Sequence, residues 1–104
     1  MTDQIIHNVT EAHITQTPGV CGGKPCIAGR RIRVQDVSVW HEFLGMSAEE
    51  IASEYSLTLA QVYAALAYYY QQKAEIDAVL RSEAQQAENY LQKLDEQGKL
   101  IRRD

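Results

Sequence analysis

The sequence predicts a mainly α-helical fold: a three-helix core that contains a helix-turn-helix, with a short β-hairpin before it and a long helix after it. Two observations carry this prediction. Two helix-start signals lie eleven residues apart, at Ser47 and Thr58, and a stretch without a helix breaker runs from Leu66 to Gly98. Because a chain of 104 residues closes one modest core, we expect one domain with an extension.

The composition is that of an ordinary globular protein, with 45% hydrophobic and 23% charged residues. The longest apolar run, Ala64 to Tyr70, is far shorter than the roughly 20 residues that span a bilayer. The N-terminal residues lack the basic start and apolar run of a signal peptide. We therefore expect a cytoplasmic protein without a membrane partner, in which Cys21 and Cys26 stay thiols.

Charge is distributed unevenly along the chain, whose formal net charge is −4. The stretch 41–70 contains glutamates but no lysine or arginine. The stretch 24–33 contains no acid and holds four cations: Lys24, Arg30, Arg31 and Arg33. A net negative protein does not coat nucleic acid through bulk charge, so any basic surface is expected just before the helix pair.

The N-terminal part is expected to be extended. His13 to Thr17 alternates and is rich in β-branched residues, which predicts a short strand that Pro18 and Gly19 end. The segments 24–27 and 30–34 then predict a hairpin, with Pro25 on an edge strand and Gly29 at a position of positive φ.

The first helix is predicted from Val34 to Leu44, with Gly45 just past its C-terminal end. Apolar residues recur in it at intervals of three to four. They are Val37, Trp40, Phe43 and Leu44.

The helix-turn-helix is predicted from two capping boxes. Ser47 with Glu50 starts one helix at Ala48, and Thr58 with Gln61 starts the next. Each box is flanked by a hydrophobic staple, Met46 with Ile51 and Leu57 with Val62. The short spacing leaves a two-turn helix, a tight turn near Ser56 and a longer second helix, with Ser56 where the motif usually has glycine. The expected internal apolar contacts are Ile51, Ala52, Tyr55, Leu57, Val62 and Leu66.

The second of these helices is expected to run into a long C-terminal helix with one apolar stripe. Its members recur at threes and fours and are Ile76, Leu80, Ala84, Ala87, Leu91 and Leu94. An isolated helix of this kind is unstable in water, so the stripe packs on its own domain, on a second copy or in a partner's groove. We favour a partner or self-association.

The run 22–34, followed by the helix starts at 46–51 and 57–62, resembles the domain of unknown function 433 family over about residues 12–73. The resemblance implies a homeodomain-like helix-turn-helix domain over 1–73, which leaves 74–104 as a helical extension. Members of that family are similar to VapB-type antitoxins, often paired with a PIN-like ribonuclease toxin. The resemblance therefore implies toxin binding and autorepression.

Two residue sets are the candidate contacts for DNA. In the hairpin, Lys24, Arg30, Arg31 and Arg33 suit phosphate, with Arg31 and Arg33 on one face of a strand; the alternative is a solvated edge strand. On the recognition helix the outward residues are Thr58, Gln61, Tyr63 and Ala64, of which Gln61 is the typical base reader. Because this helix carries no cation, we expect a homodimer to double the contacts.

A separate set is the candidate contact for the toxin. It consists of Ile76, Leu80, Ala87, Leu91 and Leu94, with Arg102 and Arg103 in the basic tail. Since the resemblance implies a nuclease with clustered metal-binding carboxylates, the two arginines suit its active site. The alternative for them is a frayed terminus.

The sequence gives little support for a catalytic site or a metal site. His7, His13, His41 and the helix glutamates form no nucleophile and base pair, so we expect no enzyme. Cys21 and Cys26 with His13 make only half of a tetrahedral set, so a glycine-rich turn without metal or cofactor is expected. In Tyr68 to Tyr70, consecutive helix positions diverge, so at least one tyrosine is expected in the core rather than stacked on bases.

The leading hypothesis is a dimeric antitoxin-like protein that binds a PIN-like nuclease and its own promoter DNA. One alternative is a stand-alone helix-turn-helix transcriptional regulator. A second is a protein-interaction module that has lost DNA binding, for which the uncharged helix over 58–72 is the main support.

Overall fold

A computed structural model describes residues 13–97. In this part the chain forms two short strands and four helices: β1 (Ile14–Thr15), β2 (Cys26–Ile27), α1 (Val34–Ser38, continued by a π-helical stretch over Val39–Phe43), α2 (Ala48–Tyr55), α3 (Leu59–Gln71) and α4 (Lys73–Glu96). A short 3-10 turn, Cys21–Gly23, lies between the strands. The predicted class, mainly helical with a short antiparallel hairpin before the helices, is confirmed. The chain divides into two units, Met1–Lys73 and Ala74–Asp104.

The hairpin differs from the prediction in length and pairing. β1 is shorter than the expected strand at His13 to Thr17, and it pairs antiparallel with β2, Ile14 opposite Ile27. The segment 30–34 lies against β2 as the predicted second arm, since the Ile27 N–H donates to the Ile32 carbonyl and the Val34 N–H to the Pro25 carbonyl, both at 2.9 Å. Only Arg33 of this segment forms a bridge, with Cys26. The reason is that α1 begins at Val34, which ends the extended backbone. Gly29 has the predicted positive φ, 76°.

α1 begins and ends where the sequence indicates. The Asp36 carboxylate accepts a hydrogen bond from the Arg33 backbone N–H at 3.0 Å and so caps the helix start. Gly45 follows the helix with φ 74°. The π-helical stretch was not predicted: the Leu44 N–H donates to the Val39 carbonyl, five residues back, at 3.0 Å.

Both predicted capping boxes are present. The Glu50 N–H donates to Ser47 Oγ at 3.0 Å, and the Ser47 N–H donates to Glu50 Oε1 at 2.8 Å. Thr58 and Gln61 repeat the same two bonds at 3.0 and 2.8 Å. Between the helices Ser56 has φ 57° and ψ 46°, a left-handed conformation. α2 and α3 therefore form the predicted helix pair with its tight turn.

The core of the first unit lies where α3 packs on α1, on α2 and on both strands. Its fully buried side chains include Ile27, Val34, Val37, Ile51, Val62, Ala65 and Tyr69. Of the predicted internal residues, Ile51, Leu57, Val62 and Leu66 are buried. Ala52 and Tyr55 are half-buried, and Tyr55 stacks on Trp40 with ring centroids 3.7 Å apart. Tyr69 is the tyrosine of its run that serves the core, as predicted.

The predicted continuous helix is wrong at one residue. Gln72 separates α3 from α4 with φ −117° and ψ 31°. Its N–H donates to both the Tyr68 and Tyr69 carbonyls, at 3.0 and 3.1 Å, which tightens the last turn. Glutamine is a good helix former, so residue type gives no signal for this break.

The second unit, as far as Gln97, is helical through α4 to Glu96. On its polar side the Gln85 amide donates to Asn89 Oδ1 at 3.0 Å, one helical turn away. None of the helices in the described range is long and apolar enough to cross a membrane.

Candidate functional site

Arg30, predicted as a phosphate contact, instead forms hydrogen bonds within the domain that link its own turn to the turn after α2. Its Nη1 donates to the Ser56 carbonyl and its Nη2 to the Tyr55 carbonyl, both at 2.9 Å. These carbonyls belong to the C-terminal end of α2, where the helix itself supplies no donor. The guanidinium therefore supplies donors to the C-terminal end of α2 and joins the glycine turn at 28–29 to the turn between α2 and α3. The sequence gives no signal for this contact, because 26 residues separate Arg30 from Ser56.

Arg33 is also engaged within the domain. It forms a bidentate ion pair with Asp36, Nη2 to Oδ1 at 2.8 Å and Nε to Oδ2 at 3.2 Å. Arg31 and Arg33 were predicted to point together from one face of a strand. This prediction is wrong because the two residues do not share a strand: Arg31 lies in a bend and Arg33 in a single bridge. Of the three predicted arginines, Arg31 is the exposed one.

Arg31 lies at an open cavity of about 330 Å³ next to the strands. The cavity is lined by Thr15, Thr17, Val20, Cys26, Gly29, Arg30 and Arg31. Two hydroxyls and one exposed guanidinium suit an anionic group. Lys24, the fourth predicted cation, is half-buried in the loop before β2.

The exposed face of α3 is apolar rather than polar. Thr58 and Gln61 are occupied by their capping box, and Ala64, predicted to face outward, is buried. Tyr63 is exposed as predicted, and the large apolar residues exposed along α3 are Leu59, Tyr63 and Tyr70. Such a face offers few hydrogen bonds to base edges.

Phe43 and Leu44, expected on the inner side of the first helix, are instead 63% and 65% exposed. The π-helical stretch adds a residue to the last turn, so the three-to-four spacing that holds for Val37 no longer points them at the core. Nearby, the Tyr70 hydroxyl donates to the Glu42 carboxylate. This hydrogen bond, with burial and the Glu42 charge, raises the pKa of Tyr70 above 10.0.

The predicted toxin contacts lie along α4. Ile76 is buried, Leu80 and Leu94 are half-buried, and Ala87 is exposed. Leu91 is 53% exposed and Tyr90, which the predicted stripe does not include, is 62% exposed. Arg102 and Arg103 lie outside the described residues, as does His7.

Other polar side chains have local roles. His41 Nδ1 lies 2.9 Å from the Met46 carbonyl oxygen, and its Nε2 lies 3.7 Å from Glu42.

Within residues 13–97, no group of three or more histidine, cysteine or acidic side chains is placed to hold a metal ion.

Comparison with known proteins gives the family. A family described as "Protein of unknown function (DUF433)" matches residues 14–69. The chain belongs to the DUF433 family. A DUF433 member from Anabaena variabilis ATCC 29413, solved by crystallography, is 32% identical, with a TM-score of 0.62 over 77% of this chain and 81% of the other. No curated protein matches this DUF433 chain. The matched range contains the hairpin, α1, α2 and most of α3.

Proposed function

We propose that this DUF433 protein is a non-catalytic, antitoxin-like binding protein whose α4 engages a PIN-like nuclease toxin. The observation that carries the proposal is the exposure of large apolar side chains on α4: Val79, Tyr90 and Leu91. A helix exposing such groups gains stability by laying them in a partner's groove. The nuclease class comes from the family resemblance to VapB-type antitoxins.

The rest of the protein acts as a homeodomain-like scaffold in this proposal. Support comes from the helix pair joined through left-handed Ser56 and from the packing of α3 on α1. Direct DNA reading by α3 has less support, because Thr58 and Gln61 serve the cap and the exposed large side chains are apolar. This surface also favours the reading as an interaction module that has lost DNA binding.

A stand-alone DNA-binding regulator is the second candidate, and exposed Arg31 beside the threonine-lined cavity favours it. A regulator of this kind shifts its own promoter DNA at low salt in the absence of any partner. Arg31→Ala then weakens binding and reduces its salt dependence. A homodimer doubles the available contacts, and equilibrium sedimentation of the free protein tests for it.

The test of the leading proposal is co-expression with the protein encoded by the adjacent gene, which the proposal expects to be a PIN-like nuclease, followed by affinity capture. We expect the full chain to capture the nuclease and to suppress its cleavage of RNA. Leu91→Asp places a charge on the apolar stripe and is expected to weaken capture at least ~10-fold, about the effect of losing an interface anchor. Ser82→Asp is the matched control, because it adds the same charge on the opposite face of α4.

Two results contradict the proposal. One is an absence of capture by the wild-type chain. The other is an equal loss of capture in Leu91→Asp and Ser82→Asp, since a general effect of charge on the helix then explains the result.

A further inference from the structure

The cavity beside the two strands is large enough to hold a small molecule. Its volume of about 330 Å³ is at the lower end of the ~300–1,000 Å³ range of ligand pockets. Two threonines and two arginines are among its lining residues: Thr15, Thr17, Arg30 and Arg31. A cavity of this size and composition suits a small polar ligand rather than an apolar one.

The charge at the cavity is positive. None of the lining residues is acidic. Asp36, the one acid of the sequence between residues 13 and 41, is held in its ion pair with Arg33. Among residues 13–97, the Arg31 guanidinium forms no hydrogen bond or ion pair. Its charge is therefore uncompensated, and an anion bound in the cavity meets no carboxylate there.

Arg30 holds the backbone next to Arg31 in place. Its N–H donates to the Ile27 carbonyl, and its guanidinium donates to the Tyr55 and Ser56 carbonyls, all at 2.9 Å. The carbonyls are uncharged, so the positive charge of Arg30 adds to that of Arg31 at the cavity. Because the turn is already fixed, a ligand that binds to Arg31 orders less of the chain.

The two threonines add hydroxyl donors. Both are exposed, and Thr15 Oγ1 has only a weak hydrogen-bonding partner, Cys26 Sγ at 3.8 Å. One guanidinium donates two parallel hydrogen bonds to a phosphate, and each hydroxyl donates one, so the cavity offers about four donors to an anion. The three terminal oxygens of a phosphate monoester accept this number more readily than the two oxygens of a carboxylate.

We propose that this cavity binds the phosphate group of a small phosphate monoester through Arg31, Thr15 and Thr17. The inference goes beyond the proposed function and does not depend on it, because it concerns the first unit and not α4. It also differs from the second candidate function, in which Arg31 contacts the phosphodiester backbone of DNA. A monoester ends in its phosphate and enters a small cavity, whereas the phosphate of DNA continues into the chain on both sides.

The experiment titrates the ¹⁵N-labelled full-length chain with glycerol phosphate, a monoester, and follows the backbone amide signals at constant ionic strength. We expect saturable shifts at Thr15, Thr17 and residues 29–31. A few charge-assisted hydrogen bonds predict a dissociation constant of ~1 mM or lower. Dimethyl phosphate and acetate, titrated separately, are expected to bind at least ~10-fold more weakly, because each offers fewer charged oxygens.

Arg31→Ala is expected to weaken glycerol phosphate binding at least ~10-fold, because the bidentate contact is lost. Arg81→Ala is the matched control, since it removes the same charge from an exposed arginine of α4 that does not line the cavity. We expect it to leave the affinity unchanged. Thr17→Val removes a hydroxyl while it keeps the side-chain shape, and it is expected to weaken binding about 5-fold.

Four results overturn the proposal. The first is an absence of saturable shifts at the cavity amides of the wild-type chain. The second is equal affinity for dimethyl phosphate, which favours a contact with the DNA backbone instead, and the third is equal affinity for acetate, which indicates unselective attraction of anions. These three are read on the wild-type chain, so they hold even if a variant fails to fold. The fourth is an equal loss of affinity in Arg31→Ala and Arg81→Ala.

Discussion

Among single residues, Arg30 links parts of the chain that are distant in sequence. Its guanidinium serves two carbonyls at the end of α2, while its backbone N–H donates to the Ile27 carbonyl at 2.9 Å. The residue therefore holds the glycine turn against the turn between α2 and α3. Two charge-assisted hydrogen bonds at the end of a helix are expected to contribute to stability.

Arg30→Ala is expected to lower the free energy of unfolding by about 1–2 kcal/mol, because two helix-end carbonyls lose their donor. Urea denaturation measures the change. Arg31→Ala is the control, since this neighbouring arginine is exposed, and it is expected to stay within about 0.5 kcal/mol. Equal effects of the two substitutions contradict the assigned role of Arg30.

Tyr70 gives a pH-dependent prediction. Its pKa is raised above 10.0, first because its hydroxyl donates to the Glu42 carboxylate. The stabilising contribution of this bond is complete below pH 10.0 and is lost as the pH rises through the folded-state pKa. In an ultraviolet titration of the tyrosines, Glu42→Gln is expected to lower the pKa of Tyr70, and Tyr70→Phe to remove that step. An unchanged titration in Glu42→Gln contradicts the contact.

Sequence predicted those residues whose partners are close along the chain. The hydroxyl oxygens of Ser47 and Thr58 each accept a hydrogen bond from a backbone N–H three residues away. The spacing of residue types was therefore enough to predict these hydrogen bonds. The contact of Arg30 with Ser56 and that of Tyr70 with Glu42 join residues 26 and 28 positions apart. Such contacts depend on how the helices pack, and no local pattern encodes them.

Among the elements, the turn between α2 and α3 places a non-glycine residue in a left-handed conformation. Ser56 adopts the left-handed conformation with φ 57° although it carries a side chain. Glycine adopts this conformation without the steric penalty, at the cost of a more flexible unfolded chain. The turn therefore forms because α2 and α3 pack on one another, rather than because of its residue type.

Ser56→Gly is expected to raise the free energy of unfolding by about 0.5–1 kcal/mol, since removal of the strain exceeds the added entropy of the unfolded state. Ser53→Gly is the matched control: it makes the same change at an exposed position inside α2, where it is expected to lower stability by about 0.5–1 kcal/mol. Thermal and urea denaturation distinguish the two signs. A loss of stability in both variants contradicts the strain at Ser56.

The element boundaries that the sequence missed are those set by backbone hydrogen bonding without a special residue. The π-helical stretch Val39–Phe43 and the break at Gln72 contain neither glycine nor proline. They change which residues face outward, as the exposure of Phe43 and Leu44 shows. Predicting the buried face from a three-to-four periodicity assumes a regular α-helix. The prediction is therefore wrong where the backbone hydrogen bonds span a different number of residues.

For the whole molecule, the family match and the core describe the same region. Residues 14–69 match the DUF433 family, and among residues 13–97 the fully buried side chains lie between Cys26 and Tyr69. α4 begins after this region, at Lys73. The sequence therefore predicted the fold class and the apolar stripe of α4 from local patterns, whereas a partner for that stripe is a proposal, because a stripe does not say what covers it.

The proposal that α4 engages a nuclease is tested by adding two forms of this protein to the purified product of the adjacent gene, which is expected to be that nuclease. Purified nuclease cleaves a labelled RNA while the full-length chain, or a chain ending at Lys73, is added in increasing amounts. Near-ultraviolet circular dichroism first establishes that the shorter chain is folded. We expect the full-length chain to stop cleavage at one chain per nuclease and the shorter chain to leave cleavage unchanged. Equal inhibition by both forms, or cleavage that continues with an excess of the full-length chain, contradicts it.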